Sequence, residues 1–280
     1  MTKVALSGPF GDECVEEIIL TDPPLARVIC QVRFPRLSKL AIGDDAANTV
    51  ASALADYYPV FNETREITIV ITPEGVSQAP SGGRAWQLDS ADGSWKVSFG
   101  AEFVAVHTER YTTREEFAAH VAAVLGVFCA HLTVPHSTRI GIRYINRVEN
   151  ATVDMLKELV RPELLGGLAV PMAGVELATA MNEAMYNLAP QTDTGIVGVT
   201  PLITDGLQAR WGLLPAGAVL DPTLPPAAVP SWVLDLDSFR ATTAPFTPED
   251  VASSLRQLAE RAYRYFRWVV TPEFLTRFGG

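Results

Sequence analysis

Alternating apolar and polar positions mark two segments of the chain, residues 27–34 and residues 138–148. A period of two is typical of a strand that packs one face on a core. The positions on that face are Val28, Cys30, Val32 and Phe34 in the first segment and Ile140, Ile142, Tyr144 and Val148 in the second. We therefore predict two strands, each of which carries an arginine, Arg33 or Arg143, on its other face.

Helical spacing of apolar residues predicts two long amphipathic helices. The first follows Thr113, which has capping-box spacing to Glu116, and it ends before Pro135. The second starts at Pro248, since proline is well tolerated in the first turn of a helix. The shorter predicted helices cover residues 45–58, 153–165 and 175–188.

Further strands are predicted where β-branched and aromatic residues alternate between turn residues. They cover residues 66–72, 86–89, 95–99 and 103–109 in the first half, and residues 195–203, 207–214 and 232–236 in the second. Asp92 and Gly93 lie between two of these segments, which predicts a β-hairpin at that position.

Each half of the chain is thus predicted to run strand, helix, several antiparallel strands and long helix. We interpret this order as a diverged internal duplication, with one α+β repeat in residues 1–137 and another in residues 138–280. The two repeats would form one broad, curved antiparallel sheet with helices on one face. The alternative is a coincidence between two ordinary α+β domains. A proline-rich loop, residues 214–230, departs from the first repeat and is either a functional flap or a tolerated insertion.

Composition and charge narrow the class of protein. Of the 280 residues, 48% are hydrophobic and 19% are charged, which is typical of a globular chain. The net charge of −10 works against non-specific binding to phosphate backbones. The three cysteines have no CxxC spacing and are predicted to be reduced thiols of a cytoplasmic protein. No apolar stretch has the roughly 20 residues that a membrane span needs, so no membrane association is expected.

A set of polar side chains on the two arginine-bearing strands is the strongest candidate site. Its members lie opposite the packed faces and are Gln31, Arg33, Arg139, Arg143 and Arg147. If the two strands are neighbours at the centre of the sheet, the guanidinium groups would converge and could hold a carboxylate or a phosphate. The alternative is that these arginines face water or form ion pairs with acids on adjacent strands, for instance Glu109 or Asp235.

Motifs for catalysis and for cofactors do not occur in the chain. It has no HExxH or Cys–His zinc spacing, no GxSxG, and no GxxxxGK[ST] or strand-anchored GxGxxG. His107 and Glu109 have the HxE spacing of zinc deaminases, but the PCxxC segment that should follow is missing. We expect no cofactor and no metal. The lack of these motifs favours a non-enzymatic protein over an enzyme.

The last predicted helix carries a stripe of basic residues. The stripe consists of Arg256, Arg261, Arg264 and Arg267, with aromatic residues between them. It would suit nucleic acid or an acidic partner, or it is the solvated side of a surface helix. The acidity of the whole chain favours the solvated face.

Two short segments resemble a sporadically distributed family of uncharacterised bacterial proteins of about this size. They are Asp22-Pro23-Pro24-Leu25, which leads into Val32-Arg33-Phe34, and Gly141-Ile142-Arg143-Tyr144-Ile145-Asn146-Arg147. The resemblance spans most of the chain, although only these segments are distinctive. It implies no catalytic residues. The scattered occurrence of the family is typical of mobile or defence-associated genes, and it implies recognition of another macromolecule.

The predicted order of elements is also similar to the saddle of the TATA-binding fold, which binds DNA through a concave sheet. Residues 1–137 hold 10 basic and 17 acidic residues, and residues 138–280 hold 12 and 15, so neither half has the charge of a DNA-binding module. The first hypothesis is therefore a binding protein for a protein partner, in bacterial conflict or toxin neutralisation. A receptor or enzyme for a small anionic metabolite is the second hypothesis, and a nucleic-acid-binding saddle is the third.

Overall fold

A computed structural model describes residues 8–11, 15–72, 75–170, 173–175, 177–188, 203–221 and 224–280, with the backbone alone for residues 65–72 and 75–82. The strands are β1 Leu25–Arg33, β2 Val60–Thr72, β3 Gly75–Asp89, β4 Trp95–Gly100, β5 Phe103–Thr108, β6 Arg139–Glu149, β7 Ala180–Asn187, β8 Asp205–Leu214 and β9 Ser231–Arg240. The α-helices are α1 Ser38–Ile42, α2 Asp45–Leu54, α3 Arg114–His131, α4 Val153–Leu159, α5 Pro248–Val269 and α6 Pro272–Arg277. Within these ranges, none of the helices has the length and apolar character needed to cross a membrane.

The described strands form a nine-stranded antiparallel sheet in the order β2-β3-β4-β5-β1-β6-β9-β8-β7. The prediction that the two arginine-bearing strands are neighbours at the centre is confirmed, because β1 and β6 are adjacent in this order. Each of them also lies beside the last strand of its own half, β5 or β9. The predicted α+β class with a broad antiparallel sheet is confirmed, whereas the internal duplication stays a prediction.

One predicted helix is wrong. Residues 175–188 contain the strand β7, which pairs with β8 so that Tyr186 lies opposite Leu207. Alanine, methionine and glutamate favour a helix in this segment, but β8 supplies backbone hydrogen-bonding partners that hold it as a strand. Its side chains then project to opposite faces in turn, so exposure alternates residue by residue. The strand predicted over residues 195–203 lies, apart from Ile203, outside the described residues.

Two compact units divide the chain. The loop unit contains the proline-rich loop and comprises Met1–Ala26, Arg143–Ser238 and Gln257–Gly280. The hairpin unit contains the predicted β-hairpin and comprises Arg27–Ile142 and Phe239–Arg256. The two predicted repeats divide the chain elsewhere, after residue 137, so the compact units and the repeats are different divisions.

The core of the loop unit lies between its helices and one face of β9. Trp232, Leu234 and Leu236 alternate along that face and pack with Leu156 of α4 and Tyr265 of α5. The side chains between them, including Asp235, therefore lie on the opposite face of the strand.

The core of the hairpin unit lies between α3 and the strands. The apolar face of α3 is buried, and it consists of Phe117, Val121, Val124, Leu125 and Phe128. Phe128 contacts Phe34 and Phe99 at ring-centroid distances of 6.0 and 5.8 Å. The N-cap half of the predicted capping box is confirmed, since the hydroxyl of Thr113 accepts a hydrogen bond from the Glu116 amide at 3.2 Å, whereas the Glu116 carboxylate accepts from the Thr112 hydroxyl. The strands therefore use the face that carries Phe34 and Phe99 for packing.

Candidate functional site

The opposite face of the hairpin unit, which points away from α3, is called the outer face here. Strand register determines which side chains share it, because directly paired residues project to the same side of a sheet. The middle row of the outer face consists of Asn62, Gln87, Ser98, Ala105 and Gln31 on five successive strands. We call this row the amide row. At about 4.8 Å between strands it is about 19 Å long.

The amide row offers hydrogen-bonding groups without charge. Asn62 is exposed, and Gln31, Gln87 and Ser98 are partly exposed. Each amide side chain has donors and acceptors, and the serine hydroxyl can act as either. In Gln87 the amide nitrogen donates to Asp89 at 2.9 Å, so this side chain already has a defined orientation. The row can therefore satisfy donors and acceptors of a partner at the same time.

The charged residues that flank the amide row stand beside opposite charges. Arg33 lies 4.0 Å from Glu102, and both side chains are nearly half exposed. Lys96 lies 3.4 Å from Asp89. Among the side chains that the structure describes, these pairs leave little net charge on the outer face, so this part of it does not present a concentrated positive field.

A buried apolar cluster adjoins the amide row. Ala85, Phe103 and Ala105 form a small buried cluster on the outer face. The ring of Phe103 lies against Gly100, where an added Cβ would be only 2.8 Å from a ring carbon. Glycine at position 100 therefore allows the aromatic ring to lie flat on the sheet, next to the amide row.

Arg143, the central arginine of β6, has a different environment from the residues of the outer face. The guanidinium of Arg143 donates to both oxygens of Asp235, at 2.8 and 2.9 Å, and to Asp221 of the proline-rich loop at 2.6 Å. Arg210 also binds Asp235. The side chains of Asp235 and Asp221 are 2% and 4% exposed, so the two carboxylates are almost completely removed from water, while Arg143 and Arg210 are about one-fifth exposed.

Burial alone would lower the pKa of Arg143, but the charges of Asp235 and Asp221 outweigh it and raise the pKa above the ordinary value. The cluster contains two arginines and two aspartates and is neutral as a whole. An anionic ligand would have to displace one of the aspartates. The alternative considered for the sequence, an ion pair with Asp235, is confirmed for Arg143.

The proline-rich loop also contacts the next arginine of this strand. Arg147 donates to the carbonyl oxygen of Pro225 at 3.2 Å and lies 3.3 Å from Glu149. In the hairpin unit, Arg139 lies over the ring of Phe239 at 4.8 Å. The five predicted site residues therefore do not have one common role. The structure places Gln31 and Arg33 on the outer face, while Arg143 and Arg147 contact the proline-rich loop.

Three residues of the amide row, Asn62, Gln87 and Ser98, are not among the predicted site residues. Sequence reasoning favours charged groups, and uncharged polar residues that alternate with apolar ones are typical of any solvent-facing strand. The sequence contains one indication of the amide row, because Gln87 and Ser98 lie on the two strands of one predicted hairpin. Only the register of all five strands brings them into a row with Gln31.

The basic stripe of α5 makes intramolecular contacts. Arg256 pairs with Glu115 at 2.7 Å, and Arg261 pairs with Asp205 at 2.6 Å. Arg267 donates to the carbonyl oxygen of Glu16 at 3.1 Å. These contacts give three of the arginines structural partners, which argues against a nucleic-acid surface. The solvated-face interpretation is wrong for half of the stripe, because Arg264 and Arg267 are only 7% and 9% exposed.

Within the described part of the chain, no three His, Cys, Asp or Glu side chains are grouped so that they could hold a metal ion. Cys30 is buried, and burial raises the pKa of its thiol to about 12. At neutral pH this cysteine is therefore a thiol rather than a nucleophilic thiolate.

Comparison of the chain with protein-family models, with curated proteins and with solved structures finds no match. The resemblance described from two short segments therefore stays a prediction. The function has to be argued from the geometry of the surface itself.

Proposed function

We propose that this chain is a non-enzymatic binding protein that recognises a protein partner through the amide row of the hairpin unit. The observation that carries the proposal is the register that aligns Asn62, Gln87, Ser98 and Gln31 across the outer face. The neighbouring Phe103 cluster is itself buried, so the hydrogen-bonding groups of the row would make most of the contact. Direct hydrogen bonds between partners are a regular feature of protein–protein interfaces.

The charge distribution favours a protein over the two alternative ligands. Phosphate-binding surfaces concentrate arginine and lysine, whereas Arg33 and Lys96 stand beside Glu102 and Asp89. Arg143, the centre of the predicted anion site, already contacts two aspartates. Both the nucleic-acid and the anionic-metabolite hypotheses therefore have less support. A role in bacterial conflict or toxin neutralisation rests on the family resemblance alone and is part of the proposal.

A charged substitution in the middle of the amide row tests the proposal. We expect Ser98→Arg to place a long cation on the outer face and to block the partner, while the packed face of β4 is unchanged. The matched control is Ser253→Arg, the same change at an exposed position of α5. Tagged wild-type protein and both variants would be expressed at low level, and bound proteins would be quantified by mass spectrometry.

The expected result is a specific protein bound by the wild type and by Ser253→Arg but reduced at least about tenfold with Ser98→Arg. Direct titration of that purified protein should then reproduce the same order of affinities. Equal recovery of every bound protein by both variants would overturn the proposal. Retention on phosphate resins that decreases steeply with salt would instead support the nucleic-acid hypothesis.

A further inference from the structure

A cleft of about 410 Å³ lies at the end of the hairpin unit where the β3–β4 turn meets the start of α3. The side chains that matter for its chemistry are Asp92, Trp95, Arg110, Tyr111 and Glu116. Its volume is at the lower end of the range for ligand sites, which suits one side chain or a small amine better than a large cofactor. It is separate from the amide row, because Trp95 belongs to the packed face that contacts α3.

The aromatic wall of the cleft is held in position by α3. The ring of Trp95 stacks on His120 with centroids 3.8 Å apart, and Tyr111 contacts Phe117 at 5.9 Å. His120 is also hydrogen-bonded to the Tyr58 hydroxyl. A ligand that stacks on this wall would not have to order it first, which reduces the entropic cost of binding.

The charges of the cleft leave one carboxylate in excess. Asp92 accepts hydrogen bonds from Ser90 and Ser94, both at 2.7 Å, and from Arg110 at 3.0 Å. The hydrogen bonds from Ser90 and Ser94 lower the pKa of Asp92, so it stays ionised and offsets the charge of Arg110. Glu116 is then the carboxylate whose charge is not offset by a cation among the residues that line the cleft. One of its oxygens accepts from Thr112, and a carboxylate has acceptor capacity beyond one hydrogen bond.

We infer that this cleft binds a guanidinium group. A guanidinium is planar, stacks on aromatic rings and donates two parallel hydrogen bonds to a carboxylate. Trp95 and Tyr111 supply the aromatic wall, and Glu116 supplies the carboxylate. An anionic ligand would meet Asp92 and Glu116, and a neutral ligand would leave the excess charge without a partner. The group could come from an arginine of a peptide or from a free alkylguanidine.

The test is a titration followed on the indole N–H signal of Trp95 in a proton–nitrogen correlation spectrum, assigned with the Trp95→Phe variant. The probes are acetyl-Gly-Arg-Gly-amide, its citrulline analogue, which has nearly the same shape but no charge, and agmatine. We expect the arginine peptide to shift the Trp95 signal at millimolar concentration and to bind at least about fivefold more tightly than the citrulline peptide. If the arginine peptide binds more tightly than agmatine, the natural guanidinium group comes from a protein. Equal affinities would indicate that it comes from a small molecule.

Two neighbouring glutamates provide a matched pair of variants. Glu116→Gln removes the charge inside the cleft and should weaken the arginine peptide by about threefold to fivefold. Glu115→Gln removes a charge from the same helical turn, where the carboxylate pairs with Arg256, and should leave the affinity unchanged. The inference is overturned if neither guanidinium probe moves the Trp95 signal, or if the citrulline peptide binds as well as the arginine peptide. If Glu116→Gln does not fold, the comparison of the arginine and citrulline peptides on the wild-type protein decides whether the cleft binds a guanidinium group.

Discussion

The two compact units differ in the sheet face that points away from their helices. In the loop unit this face carries charged side chains, which are buried in a neutral ion cluster with the proline-rich loop. In the hairpin unit it carries uncharged hydrogen-bonding side chains that are partly exposed. Charged residues are the more conspicuous in a sequence. Here the charged residues stand beside opposite charges, and the less conspicuous amides of the outer face are partly exposed.

The difference has a physical cause. A guanidinium that is removed from water is stable only with nearby carboxylates, so burial of Arg143 requires Asp235 and Asp221. Amide and hydroxyl groups at a partly exposed surface can exchange hydrogen bonds between water and a partner at little cost. Variants that remove a group from each face should therefore have very different effects on stability and on binding.

The largest effect is expected for Asp235→Ala. This substitution leaves Arg143 and Arg210, which are only about one-fifth exposed, without their shared carboxylate, and we expect the free energy of unfolding to decrease by about 3–5 kcal/mol. Urea denaturation followed by circular dichroism measures the decrease. The control is Asp154→Ala, because Asp154 pairs with Lys157 on the surface and should cost less than about 1 kcal/mol. Equal losses for the two variants would show that the cluster does not stabilise the loop unit.

The second largest effect is expected for Asp221→Asn. The change keeps the size of the side chain but removes the charge that links the proline-rich loop to Arg143, while Asp235 remains. We expect a loss of about 1–3 kcal/mol. Backbone hydrogen bonds within the loop, such as Gly217 to the carbonyl of Ala227 at 2.7 Å, should open more often.

Hydrogen exchange detects this opening residue by residue. Faster exchange should be confined to residues 214–230, and the paired strands β7 and β8 serve as the internal control. Exchange in the loop that does not change in the Asp221→Asn variant would mean that the Arg143 contact is not what holds the loop in place.

Local periodicity was sufficient to predict most elements of the fold. The packed face of β1, the apolar face of α3 and the hairpin between β3 and β4 follow from alternation, helical spacing and turn residues, all of which are encoded within about 20 residues. The helix predicted over residues 175–188 is wrong because pairing with β8 overrides local helix propensity. Such pairing connects residues that are distant in sequence.

The candidate site depended on still longer range information. Gln31 and Asn62 become members of one row only through the register of three strands between them. Arg143 was recognisable as an important residue, but its role depends on Asp221 and Asp235, which are 78 and 92 positions away in the chain. The residue type indicates which interactions a side chain can make. Only the fold shows whether other residues of the same chain already make them.

A smaller effect is expected from pH in the hairpin unit. Burial against Trp95 lowers the pKa of His120 below its ordinary value of 6.5. The unfolded chain therefore takes up a proton at His120 below about pH 6.5 that the folded chain does not, so stability is retained above this pH and decreases as the pH falls. Urea midpoints at about pH 7.5 and about pH 5.5 should differ less in the His120→Gln variant than in the wild type. An identical difference in both proteins would contradict this assignment.

The smallest effect is expected for Gln31→Ala, and its neighbour provides the sharpest contrast. Gln31 lies on the outer face, whereas Val32 lies on the packed face and is 1% exposed. We expect Gln31→Ala to change the free energy of unfolding by less than about 0.5 kcal/mol, and Val32→Ala to cost about 2 kcal/mol, because only the second change leaves a cavity. Both values come from urea denaturation. If Gln31→Ala costs as much as Val32→Ala, the outer face is itself a packed face, and the amide row is not available to a partner.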